Sequence, residues 1–377
     1  MLSLFKSRFT PAMGEKITEV LSSGQIASGK YVQLFEREFS KLINVEYSVS
    51  INDMTNAIYL ALKLSGVKEG DEVLAVSFSC MSSNSPISLC GAIPVWVDLE
   101  EDSVKVDIEK FESLITSKTK AAIVYHIAGY PNAIEQIAHI CKRYNIKLIE
   151  DCNNALLATS NGRHLGSFGD FSIFSFYPNR LINATEGGML VCKNKDDYEK
   201  VLTLKRFGVD PRFFRDKDGE IDENYDIPVT NFSMAMNNLC CAIAYTQLSD
   251  VSDLFDKCRD NAKFYDEHFR NIEGIQPIKL SEGDKSSYWV YLVKVDNKKL
   301  VLKYMKEHGV SVSGLHQNNH IYSCFKKNSQ STFVNVDKLQ ERVIALPCGW
   351  WLSVDDCNVI VSVLQKAIDF AKRNSNV

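Results

Sequence analysis

Gly169-Asp170-Phe171-Ser172-Ile173-Phe174-Ser175-Phe176-Tyr177-Pro178-Asn179-Arg180, continuing through Leu181-Ile182-Asn183-Ala184-Thr185-Glu186-Gly187-Gly188, is the stretch on which the fold turns. An apolar, aromatic-rich run enters a polar turn at Pro178. A Glu-Gly-Gly turn follows, and then a second apolar run, Met189-Leu190-Val191-Cys192. The pattern predicts strand, tight excursion, strand. Loops that interrupt two buried strands are common places for functional side chains.

Upstream, short apolar runs alternate with helical spacing. Strands are predicted at Tyr47–Ile51, Val73–Val76, Pro94–Asp98, Ala121–His126 and Lys147–Glu150, with helices at Thr55–Leu64, near 81–90, near 107–116 and at Ala133–Tyr144. Such alternation argues a mainly parallel sheet covered by helices on both faces. Ligands of such sheets sit at the carboxyl ends of strands, so 52–56, 77–81 and 151–154 are the candidate site segments. Before the sheet, residues 1–43 read as an arm and two short helices. In the second of these Val32, Phe35, Phe39 and Leu42 share one face.

Downstream, residues 196–272 are helical in pattern around a polar loop at 209–230, a length that suits a functional or intersubunit segment. The pattern breaks near Gln276–Lys285. A strand at Tyr288–Val295, a helix at Leu300–His308 and a terminal helix over 354–373 then make a small α/β lobe.

The 377 residues are 45% hydrophobic and 24% charged, ample for a large core and a smaller lobe. A net charge of -4 with interspersed signs gives no nucleic-acid footprint and no basic membrane patch. No run reaches the ~18 apolar residues of a transmembrane helix, and Met1–Lys6 lacks the apolar core of a signal peptide. Eleven cysteines without Cys-x-x-Cys spacing read as free thiols of a cytoplasmic protein, with no zinc site.

The opening stretch resembles the signature of the DegT/DnrJ/EryC1/StrS family, nucleotide-sugar aminotransferases that use pyridoxal phosphate (PLP). That signature runs Gly-Asp, Phe-Ser-Phe, a lysine five residues after the serine, then Gly-Glu-Gly-Gly. Ser175 fits, and the fifth position beyond it holds Arg180. The resemblance also takes in Gly70-Asp71-Glu72-Val73, His126-x-x-Gly129, Glu150-Asp151, Asn231 and Leu346-Pro347. It implies an α/β, fold-type-I aminotransferase-like chain with a mainly parallel seven-stranded sheet sandwiched by helices. An N-terminal arm and large domain would span 1–275, and a small C-terminal α/β domain 276–377. It further implies a cytoplasmic homodimer with a shared site, acting on a nucleotide-linked keto sugar in surface polysaccharide or O-antigen biosynthesis.

Site residues carry over by position. Asp151 is implied as the partner of the PLP ring nitrogen, although a carboxylate ending a strand is also an ordinary cap. Thr55 and Ser175 are implied as phosphate contacts, and Asn231 as a phosphate contact supplied to the partner subunit. Cys80 stands where the family has a ring-stacking aromatic, and Asn154 where it has a ring-contacting Gln or His. Glu186 sits in the retained Glu-Gly-Gly turn. His316 and His320 match a His-x-x-x-His pattern near the substrate mouth and lack a third ligand for a metal.

Met54, Cys80, Ser233 and Arg180 depart from the family pattern. Arginine keeps its charge, with a pKa above ~12, and forms no ordinary imine. Lys193 and Lys195 lie beyond the following strand. PLP or its amine form (PMP) would therefore be held noncovalently, or the pocket is repurposed. In a repurposed pocket Arg180 either pairs with Asp151 or binds a substrate phosphate or carboxylate. Two functions stay open: a sugar aminotransferase-like enzyme without Lys-dependent transamination, and a cofactor-free member that binds a sugar nucleotide or another anion, or serves as a partner subunit.

Overall fold

The computed structural model describes residues 1–270, 272–328 and 333–374. Its large sheet is built from β1 (Tyr47–Ile51), β2 (Glu72–Val76), β3 (Ile93–Val97), β4 (Thr119–Tyr125), β5 (Lys147–Asp151), β8 (Phe171–Ser175) and β9 (Gly188–Cys192); a small ribbon of β6 (Thr159–Ser160) and β7 (Arg163–His164) lies between β5 and β8 in the chain. The strand order is β1-β9-β8-β5-β4-β2-β3. Only β9 runs against its neighbours, so the mainly parallel seven-stranded sheet expected from the alternation is present. The helices are α1 (Pro11–Ser23), α2 (Lys30–Ile43), α3 (Met54–Leu64), α4 (Met81–Leu89), α5 (Ile108–Ser113), α6 (Ile134–Tyr144), α7 (Lys195–Leu204), α8 (Asn238–Tyr245) and α9 (Val251–Phe269). A three-stranded antiparallel sheet follows, formed by β10 (Ile275–Pro277), β11 (Tyr291–Val295) and β12 (Val343–Leu346). With it pack α10 (Lys298–Glu307), α11 (Val334–Arg342) and α12 (Val354–Asn374). Among the described residues no helix is long and apolar enough to cross a membrane.

The opening stretch forms the predicted strand, excursion and strand. Phe176 N–H donates to Gly187 O (2.8 Å) and Ala184 N–H to Phe176 O (2.8 Å), which pinches the neck of the excursion. Underneath, Phe174 and Phe176 are clamped edge-on by Phe35 and Phe39 of α2. The buried face of α2 centres on Tyr31, Phe35, Phe39 and Ile43, with the expected Val32 and Leu42 partly buried against the same core beside it. Phe35 and Phe39 dictate the rotation of the helix, because edge-to-face pairs need their rings at the contact.

Two elements differ from the sequence reading. The strand expected from Tyr288 begins only at Tyr291, since Tyr288 takes a left-handed φ of 46° that interrupts extension. The helix expected near 107–116 is confined to Ile108–Ser113, capped by the Asp107 side chain on Lys110 N–H. β10, β12 and α11 were not anticipated.

Register brings the strand ends together. Gly188 pairs with Ile51 on one side and Ser175 on the other. Asp151 pairs with Tyr125 and Ile173. The segments after β1, β5 and β8 and the turn before β9 therefore meet at one edge, where α3 and α4 begin.

Glu150 fixes the connection from β5 to β8. Its fully buried carboxylate accepts from the N–H groups of Gly166 (2.8 Å), Phe168 (2.7 Å) and Gly169 (2.7 Å), and from Ser172 Oγ (3.2 Å). His126 Nε2 lies 3.4 Å away, its Nδ1 accepting from Asn132 N–H (3.0 Å). Ligand-type atoms of His126, Glu150 and Cys152 lie within 4.8 Å of one another. The carboxylate's backbone bonds account for that cluster as a hydrogen-bond knot. Burial opposes ionisation of Glu150, yet the His126 hydrogen bond and the backbone donors outweigh it and hold the pKa below the ordinary value.

Glu150→Gln would turn an amide N–H₂ toward backbone donors and should cost about 3 kcal/mol or more in urea unfolding. Because the folded pKa is depressed, the charge of Glu150 stabilises the fold above the ordinary Glu range. That contribution is lost as pH falls through the folded value. The variant should accordingly show a flatter acid-side stability curve than the wild type.

Candidate active site

A cleft of about 360 Å³ opens where those strand ends converge. α3 begins on its wall, with Asp53 as N-cap accepting from Asn56 N–H (2.9 Å) and Thr55 in the first turn. Gly188 makes this arrangement fit: a Cβ there would meet the backbone of Asp53 and Met54 at 3.0 Å. Met54 is buried, and its Sδ receives Ser82 Oγ at 3.6 Å, so a thioether fills space at the helix start. Cys80 is the exposed N-cap residue of α4 and reaches the same cleft. All three segments singled out at strand ends thus contribute a lining residue.

Of the expected site residues, Thr55, Cys80, Asn154, Ser175, Arg180, Glu186 and His316 line this cleft. Asp151, Asn231 and His320 do not. Asp151 is fully buried one layer below, its carboxylate accepting from Ser83 Oγ (2.6 Å), Asn153 N–H (3.1 Å) and Asn153 Nδ2 (2.8 Å). Burial raises its pKa despite these donors. Asn231 donates to Leu204 O (3.1 Å), away from its own chain's cleft. His320 turns to Ser77 Oγ (3.1 Å) and Asp337 (3.7 Å).

The Arg180–Asp151 ion pair expected as one use of a vacated pocket does not form. Asn153 stands between them, donating to Asp151 and accepting from Arg180 Nη2 (3.0 Å). The turn following β5 supplies local donors to Asp151, and these satisfy it before a longer side chain arrives. Arg180 Nη1 donates to Asn179 Oδ1, and the guanidinium lies over the Trp289 ring at 4.8 Å. Among the described residues Arg180 has no carboxylate in ion-pair contact, and its Nε has no hydrogen-bond partner. Burial lowers its pKa to about 10, which leaves it charged at neutral pH.

The loop carrying Arg180 is held from outside. Trp289 Nε1 donates to Asn179 O (2.8 Å), Phe5 stacks on Trp289 at 4.6 Å, and Ser7 Oγ donates to Pro178 O (2.9 Å). Neither Trp289 nor the arm was foreseen as part of the site, since the contacts span 110 and 171 residues. Asn153 and Ser83 were missed too; the Asp-x-Asn turn was the available signal for Asn153.

Also in the cleft, His316 Nε2 sits 3.2 Å from Tyr125 Oη, and Tyr125 Oη accepts from Asn154 Nδ2 (2.8 Å). Burial, and secondarily Arg180, push the His316 pKa down to about 3. Glu186 is exposed at the rim; burial and then the Asp53 carboxylate raise its pKa.

PLP can be tested against this donor set. No lysine lines the cleft, a guanidinium cannot form the imine, and Asp151 is capped by Ser83 and Asn153. These residues do not fit PLP anchored as the signature implies, and imine chemistry has no residue here to carry it.

Residues 10–365 match the DegT/DnrJ/EryC1/StrS aminotransferase family. The chain is similar to GDP-perosamine synthase of Vibrio cholerae, 33% identical over 283 residues, 74% of each chain. It is also similar to the spore coat polysaccharide biosynthesis protein SpsC of Bacillus subtilis, 26% identical over 364 residues, 94% of each chain. Among solved structures, the sugar aminotransferase CalS13 of Micromonospora echinospora superposes with a TM-score of 0.91 at 26% identity, over 97% of this chain and 100% of the other.

The geometry predicts that His316 stays neutral across the physiological range. Its ring signals in an NMR pH titration should not move until the pH approaches about 3, whereas a solvent-exposed histidine titrates near ~6.5. Asn153→Ala should strip Arg180 and Asp151 of their shared partner and cost about 1–3 kcal/mol in thermal or urea unfolding.

Proposed function

The chain belongs to the DegT/DnrJ/EryC1/StrS aminotransferase family, and from that footing we propose that it binds a nucleotide-linked keto sugar in surface polysaccharide biosynthesis without performing Lys-dependent transamination. The reading is carried by Arg180, a charged guanidinium locked by Asn153, Asn179 and Trp289 at the place where the signature resemblance puts the imine-forming lysine. The relatives named for perosamine synthesis and spore coat polysaccharide support the pathway class. The Thr55 and Ser175 hydroxyls and the start of α3 support a polar ligand in the cleft. PLP or PMP entering this cleft is a dissociable ligand.

The proposal includes a homodimer in which Asn231 serves the neighbouring cleft. Asn231 lies off its own chain's cleft, and its segment exposes Phe213, Ile221, Val229 and Phe232. Exposed apolar side chains at this density suit a subunit interface.

Two measurements test this reading. After incubation with PLP, borohydride and gel filtration, peptide mapping of 169–188 should find no pyridoxyl group in the wild type and should find one in Arg180→Lys. Recovery of a fixed cofactor on the wild-type peptide would overturn the loss of the anchor. Calorimetric titration with UDP- and GDP-hexoses should detect binding to at least one; no binding to any would sink the nucleotide-sugar site. In solution, light scattering should give a dimer mass, and Asn231→Ala should weaken ligand binding without changing that mass.

A further inference from the structure

Arg180 poses a charge problem that its own chain leaves unsolved. Its direct partners are the amide oxygens of Asn153 and Asn179 and the face of Trp289, all neutral. No salt bridge is formed with a carboxylate of the described residues, and Nε donates to nothing; the Asp151 charge acts on Arg180 only through space, across Asn153. A guanidinium drawn out of water without an anion is expensive, and a planar oxyanion taking two parallel N–H donors is its natural complement.

A second, independent group points the same way. Asn154 is 94% buried, at 6% exposure, lines the same cleft, and leaves Oδ1 with no hydrogen-bond partner although its Nδ2 is engaged with Tyr125 Oη. A buried acceptor of this kind is completed by a ligand hydroxyl or N–H. The same cleft thus presents a cation needing an anion and an acceptor needing a donor.

We propose that Arg180 is a carboxylate receptor, and that the ligand of this cleft presents a carboxylate to it with a donor group beside it for Asn154 Oδ1. The inference rests on the nucleotide-sugar reading given above. A monoanion is favoured over a phosphate by the charge already in place. Arg180 is the one cationic side chain among the described residues lining this cleft, with Lys6 in the adjoining cavity that shares Arg180 and Asn154; His316 is neutral, and Asp53 and Glu186 add two carboxylates. At Arg180, one planar carboxylate matches one guanidinium fork in charge and shape, whereas a phosphate dianion there would leave a negative charge unmatched. The carboxylate is carried either on the sugar, as in a nucleotide-linked uronic acid, or by a separate small acid.

Matched titrations of the full-length protein separate these cases: UDP-glucose against UDP-glucuronate, GDP-mannose against GDP-mannuronate, and 2-oxoglutarate alone. We expect the acidic member of at least one pair to bind on the order of tenfold tighter than its neutral twin, or 2-oxoglutarate to bind by itself. Arg180→Gln should abolish that preference, bringing the ratio of the twins' affinities to within about threefold of one. Arg180→Lys keeps the charge without the fork and should retain only part of the preference. Equal binding of both twins with no binding of 2-oxoglutarate overturns the carboxylate receptor while the nucleotide-sugar reading stands. So does an equal weakening of both twins in Arg180→Gln, which would place the diphosphate at Arg180. Failure of every sugar nucleotide to bind overturns the reading beneath it. The twin comparison needs no variant, so it decides the matter even where Arg180→Gln fails to fold.

Discussion

Arg180 carries a charge it cannot shed at neutral pH into a cleft wall where each direct partner is neutral. Nearly every feature of the site can be traced to how that charge is accommodated. The Asn153 amide faces both ways, its N–H₂ to Asp151 and its carbonyl oxygen to Arg180. It couples two opposite charges through one dipole and spares the site a direct buried ion pair, whose desolvation often costs more than it returns. The indole of Trp289 adds a polarisable face that asks for no hydrogen bond. His316, held neutral by burial and by this same charge, avoids adding a second cation.

The scaffold that permits this is set by two other constraints. Glu150 gathers three backbone N–H groups from the β6–β7 to β8 connection and thereby fixes where β8 starts. Gly188, paired with both Ile51 and Ser175, lets β9 approach the first turn of α3 without a side chain in between. Position 180 belongs to neither constraint. Its contacts are with the excursion, the post-β5 turn and Trp289, so the residue there can change chemical class while the sheet beneath keeps its register.

This separation explains what could be read from the sequence and what could not. The alternation of β1 to β5 and the helices between them was legible because each element satisfies a local period. The convergence of 52–56, 77–81 and 151–154 followed from the rule for the carboxyl ends of parallel strands, and each places a residue in the cleft. Spacing failed where partners are remote. Ser83 meets Asp151 across 68 residues, and Ser7 meets Pro178 across 171. His320 matched a pattern, yet the turn that carries it directs the ring to Ser77 and Asp337. The strand expected at Tyr288 failed for a local reason, a left-handed φ that a tyrosine rarely adopts and that no composition rule announces.

The Arg180–Asp151 pairing is the most instructive failure. Charge and reach both allowed it, and a chain-level argument had no reason to prefer Asn153 as intermediary. What decides the matter is order of proximity. The Asn153 N–H and side-chain amide are two residues from Asp151 and reach it at little entropic cost, while Arg180 must reach in from the excursion after β8 and fix four side-chain torsions. Once Asp151 is satisfied locally, the guanidinium is left with amide oxygens, and its charge stays directed at the cleft. A direct pair would have buried both charges at a desolvation cost and turned the guanidinium away from the cleft. The arrangement found keeps the cation on the cleft lining, its direct partners all neutral.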